Sequence, residues 1–431
     1  MRVPLRALAA HDVPRRVAGV AGADAPRSRR AAGRDPGFTY LASFVVLGLA
    51  LTFLGPVLTT LRDQVGVSTA TISVLFGAQS LGYLAGAVLG GRGYDLGFGH
   101  RLMAGSLVGA AVAFLVISVA GSLAVLIVFF VLLGLSGSIV DVGGNALLVW
   151  TRGAGVGPMI NALHFMFALG ALACPLLVNR SLAWSGGLGP AAWIAAGAAL
   201  LVAVVLLRRD EPAPGAHEVA EGRAPAPRRL LLVISVFFVL YVGVELGFSG
   251  WVYAYAQDLD IGGSNGAAWL TATFWAFFAL GRLVGIPLAA VVPPRRMLFG
   301  ACTLTVAAAA LLVVVGGGQL VWVGTALLGI GLAPQFATMI AFAERHVAIT
   351  GTATSWFIGA VAIGGFVLPW VIGQLFDRTG SSALPTAVLC SAAATLAWSV
   401  IVARLFARRS AIPAERVVPA LLPEEGLELG G

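Results

Sequence analysis

The sequence predicts an all-α polytopic membrane protein of twelve transmembrane helices, arranged as two pseudo-symmetric six-helix bundles. Three observations predict it. Of the 431 residues, 59% are hydrophobic and only 11% are charged, whereas a water-soluble domain carries roughly 45–50% apolar and about 25% charged residues. The apolar residues gather in repeated stretches long enough to cross about 30 Å of hydrocarbon. Finally, short patterns of the first half recur in the second at a nearly constant offset.

Reading apolar runs between Arg, Pro and Gly punctuation puts the first six spans at 38–61, 69–90, 102–120, 122–150, 158–178 and 191–208. The second six are 230–256, 267–291, 297–315, 319–343, 351–375 and 383–407. They form an N-terminal bundle over 38–208 and a C-terminal bundle over 230–407, joined by a polar, Pro-rich cytoplasmic linker at 209–229. Residues 1–37 carry eight Arg and no apolar run like a signal-peptide core, which reads as a disordered basic cytoplasmic tail. Residues 408–431 read as a cytoplasmic C-terminal tail.

Charge placement fixes the expected orientation. All 27 basic residues are Arg. With the N-terminus inside, 24 of them fall on the cytoplasmic side and only Arg62, Arg180 and Arg378 outside. Both termini are therefore expected in the cytoplasm of a cell with an inner membrane. The net charge of +8 is spent on topology, so no nucleic-acid partner is expected. Cys174, Cys302 and Cys390 lie in apolar spans without CxxC spacing, which predicts buried thiols and neither disulfides nor a metal site.

The repeat is carried by four matches in order. LGLALTFLGP (47–56) aligns with VGVELGFSGW (242–251) at an offset of 195, and LLG ending at Gly134 aligns with LLG ending at Gly329. Gly170 and Pro175 align with Gly364 and Pro369 at 194, and GYLAG (82–86) with GRLVG (281–285) at 199. Two related bundles leave a seam near the bilayer midplane, where a solute can be held while the halves rock.

This organisation, with GGRGYDLGFGHR (90–101) after the second span, resembles the major facilitator superfamily. Gly91, Asp95, Gly99 and Arg101 match that family's turn between helices 2 and 3, although Leu96 stands where a basic residue is usual. The resemblance implies a cytoplasmic gate at these four residues, to which Arg282, at the inner end of span 8, is added as a snorkelling residue. DVGGNALLVW (141–150), INALHFMFALGALACP (160–175) and YVGVELGFSGWVYAYA (241–256) are similar to the fucose-permease and sodium-dependent-glucose-transporter branch. Span 1 lacks the acidic residue of fucose-permease-like symporters, so their coupling scheme does not transfer whole.

Of 19 acidic residues, only Asp141 and Glu245 fall inside predicted spans. A mid-bilayer charge costs roughly 2.5–3.5 kcal/mol on insertion scales, so such groups face a bundle interior or a hydrated path. They are the candidate coupling carboxylates. Asp141 and Asn145 share a face of span 4, and Asn161 and His164 share a face of span 5. A buried polar cluster locking those two helices is the alternative reading. Tyr241 and Ser249 flank Glu245 at i−4 and i+4. Gln79, Tyr83, Trp251, Tyr255, Trp275, Gln335 and Thr338 complete the expected cavity lining, with Trp269 nearer an interfacial belt.

The expected function is cation-coupled symport (H+ or Na+) of a small polar solute, a sugar foremost, by alternating access in a monomer embedded in lipid and without a cofactor. Proton-driven efflux of drugs or metabolites is the competitor. Efflux antiporters of the family carry Gly-Pro-x-x-Gly-Gly in helix 5, where this chain has GALACPLL (170–177). The sequence has no phosphate loop, HExxH or sizeable soluble domain, so an enzyme is not expected.

Overall fold

The computed structural model describes residues 37–152, 156–212, 227–344 and 351–410. The expected tails, except for their innermost residues, and linker residues 213–226 lie outside them. The first half contains α1 (Gly37–Thr52), α2 (Leu54–Val65), α3 (Thr69–Ile72), α4 (Val74–Asp95), α5 (Gly99–Val119), α6 (Leu123–Arg152), α7 (Gly157–Ser185) and α8 (Gly189–Leu207). The second contains α9 (Arg228–Asp258), α10 (Gly266–Val291), α11 (Pro294–Val315), α12 (Leu320–Leu332), α13 (Gln335–Glu344), α14 (Gly351–Thr379) and α15 (Ala383–Ser410). No strand occurs among the described residues.

Ten stretches are long and apolar enough to cross a bilayer, and eleven with the pair α1–α2, bent by 43°. The stretch Trp356–Leu405 holds two crossings, because a 3₁₀ turn at Gly380–Ser382, with Gly380 at φ 69°, divides α14 from α15. The described residues therefore cross twelve times, and the chain is a multi-pass membrane protein.

Two breaks interrupt runs that read as continuous in the sequence. Pro56 cannot donate to Thr52, so the helix parts at Phe53. Pro334 does the same between α12 and α13. Just before the first break, Thr52 Oγ1 donates to Gly48 O at 2.8 Å.

Equivalent helices of the two halves pack alike. Gly48 of α1 faces Gly170 of α7 so closely that a Cβ would lie 2.9 Å from the Gly170 Cα. Their counterparts Gly243 and Gly364 meet between α9 and α14, where a Cβ on Gly243 would be 3.6 Å from the Gly364 carbonyl. A Cβ on Gly134 would reach Tyr83 N at 3.0 Å, and one on Gly329 would reach Phe278 N at 3.0 Å.

These contacts correct one alignment. Tyr83 and Phe278 are 195 apart, and Gly281 packs on Ile330 and Ala333 as Gly86 packs on Leu135 and Ser138. Gly281 is thus the mate of Gly86, one helical turn from the Gly82 with which GYLAG/GRLVG aligned it. A glycine every fourth residue makes that slip invisible in sequence. A second correction concerns the cysteines: Cys174 and Cys302 are buried, but Cys390 is exposed on the outside of α15.

One end of the molecule is stitched shut between the halves. Thr59 Oγ1 donates to Gln257 Oε1 at 2.9 Å, and Asn179 Nδ2 donates to Asn265 Oδ1 at 2.7 Å. Ala70 N donates to Asp377 Oδ2 at 2.8 Å, and Gln374 Nε2 donates to Ala70 O at 2.9 Å. Below this layer α2 meets α9, where a Cβ on Gly55 would lie 3.2 Å from the Gly250 Cα.

Candidate functional site

Between the halves lies a cavity of about 560 Å³, within the roughly 300–1,000 Å³ usual for small-molecule sites. Its closed end is formed by Thr52, Gly55, Phe76 and Gly250. From there it extends to Val292, Pro294 and Met297 at the α10–α11 turn, the end that carries Arg295 and Arg296. The cavity therefore runs toward the arginine-rich face and is sealed from the other.

Each half contributes one carboxylate, and each carboxylate is held by a tyrosine of its own half. Tyr83 of α4 donates to Asp141 Oδ2 of α6 at 2.6 Å, and Asn145 Nδ2 donates to Asp141 Oδ1 at 3.1 Å. Across the cavity, Tyr241 donates to Glu245 one turn further along α9. A buried carboxylate without donors would be expensive, and these hydroxyls supply them. Asn145 also bonds the Asp141 carbonyl at 3.0 Å, so it supports Asp141 from behind rather than lining the cavity.

His164 lines the cavity edge-on to Phe44, with ring centroids 5.9 Å apart, and Asn161 joins it from the same face of α7. Gln79, Tyr83, Tyr241, Ser249, Trp275 and Thr338 also line it, as expected. Trp275 meets Phe167 of the opposite half edge-to-face at 5.9 Å. Thr52, Ser80 and Phe336 belong to the lining too and were not foreseen.

Four more expected residues, besides Asn145, occupy other places. Trp251 is fully buried, donates from Nε1 to Pro369 O at 2.9 Å and stacks on Phe376, so it fastens α9 to α14 on the sealed side. Tyr255, a turn beyond, is buried away from the cavity. Gln335 is buried too and donates to Thr305 Oγ1 at 2.8 Å, joining α13 to α11. Arg282 is the largest change: nine residues of α10 follow it, about 13 Å of helix. That depth takes it off the interface and into the cavity lining, with its guanidinium 4.8 Å from the Phe278 ring centroid. It shares the cavity wall with Asp141, Glu245, His164 and Tyr241. Its buried Nε has no hydrogen-bond partner among the described residues.

Gly91, Asp95, Gly99 and Arg101 lie at the α4–α5 turn, on the arginine-rich face. There Glu211, just after α8, accepts from His100 N at 2.7 Å and Arg101 N at 3.1 Å, capping α5. Gly99 leaves room for it, since a Cβ would be 2.7 Å from Glu211 Oε2. His100 is buried beneath, 2.7 Å from the Tyr40 hydroxyl. Glu211 lay in the polar linker with no periodicity to mark it, and His100 sits between the matched Gly99 and Arg101 at a position the motif does not use.

Comparison with known proteins agrees with this architecture. The mouse sodium-dependent glucose transporter 1A is 26% identical over 377 residues, covering 78% of this chain and 88% of the relative. The human sodium-dependent glucose transporter 1 is 26% identical over 402 residues, covering 84% and 77%. Among solved structures, the nucleoside transporter NupG superposes with a TM-score of 0.68 at 13% identity, over 87% of this chain and 99% of its own. The E. coli fucose:proton symporter superposes with a TM-score of 0.58 at 18% identity, over 86% and 98%. The sequence model of the Major Facilitator Superfamily matches residues 40–369. With most of the folded chain inside that match, and two like-packed halves around one central cavity, the protein belongs to the Major Facilitator Superfamily.

Proposed function

We propose that the protein is a secondary active transporter that carries a sugar or similar small polar solute together with a cation, H+ or Na+, by alternating access. One observation carries this reading: two carboxylates, Asp141 and Glu245, face a single cavity from different halves, each bonded to its own tyrosine. A group that takes up a cation on one side of a membrane and releases it on the other must be ionisable and reachable from the solute path. Both are. Arg282 lines the same cavity as both carboxylates and brings a positive charge to it.

The amide, hydroxyl and aromatic lining suits a hydroxylated solute: Asn161, Gln79, Ser249 and Thr338 offer hydrogen bonds and Trp275 an apolar face. The names of the glucose- and fucose-transporting relatives point the same way. The positive-inside rule supports reading the arginine-rich face as cytoplasmic in a cell membrane, with both termini there, so the conformation described is inward-open. A monomer suffices, since both halves of the cavity come from one chain.

The test is uptake of labelled D-glucose into proteoliposomes under imposed proton or sodium gradients. Wild type should accumulate the sugar under one gradient. Asp141→Asn and Glu245→Gln should still exchange sugar across the membrane but lose accumulation. Equal gradient-driven accumulation in wild type and both variants would overturn the reading.

A further inference from the structure

A second cavity, of about 350 Å³, lies at the sealed face, outside the layer that closes the central one. It is bounded by α2 and α3 from the first half and by the ends of α9 and α14 from the second. Its inner end is Phe376 stacked on Trp251, centroids 5.3 Å apart and rings 25° from parallel. Its rim is polar, and much of that rim is uncommitted. Gln257 accepts from Thr59 through Oε1, leaving its amide hydrogens without a partner among the described residues. The Asp258 carboxylate beside it has none either, and both side chains are exposed.

We infer that this vestibule is a capture site for a neutral polyhydroxyl solute on its way to the central cavity; the inference rests on the transport reading above. The chemistry selects the class. A carboxylate, an amide and the Thr60 hydroxyl around an aromatic floor match a ring of hydroxyls with an apolar face. Arg62 and Asp63 neutralise one another at 2.8 Å, so Asp258 is the uncompensated charge, and it repels anionic solutes. The site is also placed to act on the seal. Gln257 and Thr59 form one of the bonds joining the two halves, and a solute hydroxyl that donates to Gln257 Oε1 in place of Thr59 loosens that bond where opening begins.

The experiment measures D-glucose transport from each face separately, in right-side-out and inverted vesicles. Asp258→Asn should raise KM from the sealed face by about tenfold, the effect of one charge-assisted hydrogen bond, and Thr60→Val by about threefold, that of a neutral one. KM from the arginine-rich face should stay unchanged, which also shows that the variants fold. Equal changes at both faces, or none at either, would overturn the vestibule while leaving the transport reading intact. If wild type moves no glucose from either face, the transport reading fails. Binding to purified protein then decides the vestibule: a glucose-induced change in tryptophan fluorescence, lost in Asp258→Asn, retains the site, and no change removes it.

Discussion

Tyr83 on α4 and Asp141 on α6 are joined by a 2.6 Å hydrogen bond across a helix contact packed through Gly82 and Gly134. That contact is close because Gly134 lets α6 approach the Tyr83 backbone. The position of the hydroxyl on the carboxylate is therefore set by backbone packing, and it moves only if two helices move.

Tyr83→Phe leaves Asp141 with Asn145 as its remaining side-chain donor. A buried acceptor deprived of one partner costs about 1–3 kcal/mol. The variant should unfold at lower temperature in detergent and respond less steeply to the driving gradient. An unaltered gradient response would show that Asp141 works without its tyrosine.

On the other half, Tyr241 and Glu245 form one unit. Single variants Tyr241→Phe and Glu245→Gln and the double variant should be non-additive, with a coupling of about 0.5–3 kcal/mol in a thermal-unfolding cycle. Tyr83→Phe combined with Tyr241→Phe should be additive within about 0.5 kcal/mol, because the two tyrosines serve different carboxylates.

Gly134→Val and Gly91→Ala separate packing from motif. A side chain at 134 would drive into Gln79 and Tyr83, whereas nothing lies within 4 Å of a Cβ at 91. Gly134→Val should therefore lose the monodisperse peak on size-exclusion chromatography, and Gly91→Ala should keep it.

The bonds at the sealed face should hold the resting state. Asp377→Asn weakens the acceptor for Ala70 N, and Gln374→Ala removes the neighbouring bond to Ala70 O. Together they should favour opening at that face. Ser249→Cys, at the cavity wall, should then react faster with an impermeant thiol reagent applied from that side. No increase would mean that other contacts hold the halves together.

Much of the fold was legible because hydrocarbon length and arginine placement act on whole spans, and each of the twelve runs holds a crossing near its expected place. Which face of a span looks inward was harder to read. In water the apolar face of a helix marks the core, but in lipid both faces are apolar and the periodicity fades. Asp141 and Glu245 were recoverable since ionisation forbids them a lipid face. Trp251, Tyr255 and Gln335 were not, since aromatic and amide groups pack as well between helices as beside a cavity. Arg282 was misjudged although its span was placed well: 267–291 already left nine residues beyond it, too many for an interfacial side chain.

The polar stitching between Asp377, Gln374, Gln257, Asn265 and the first half has an energetic consequence. Each bond, once parted, is replaced by water at an exposed surface, so each biases the equilibrium by only about 0.5–1.5 kcal/mol. A handful of them amounts to a few kcal/mol, comparable to the roughly 5.5 kcal/mol that turns a 1:99 population into 99:1. The molecule is thus a spring of low stiffness: rigid enough to rest on one side, and soft enough for the occupancy of a single cavity to tip it.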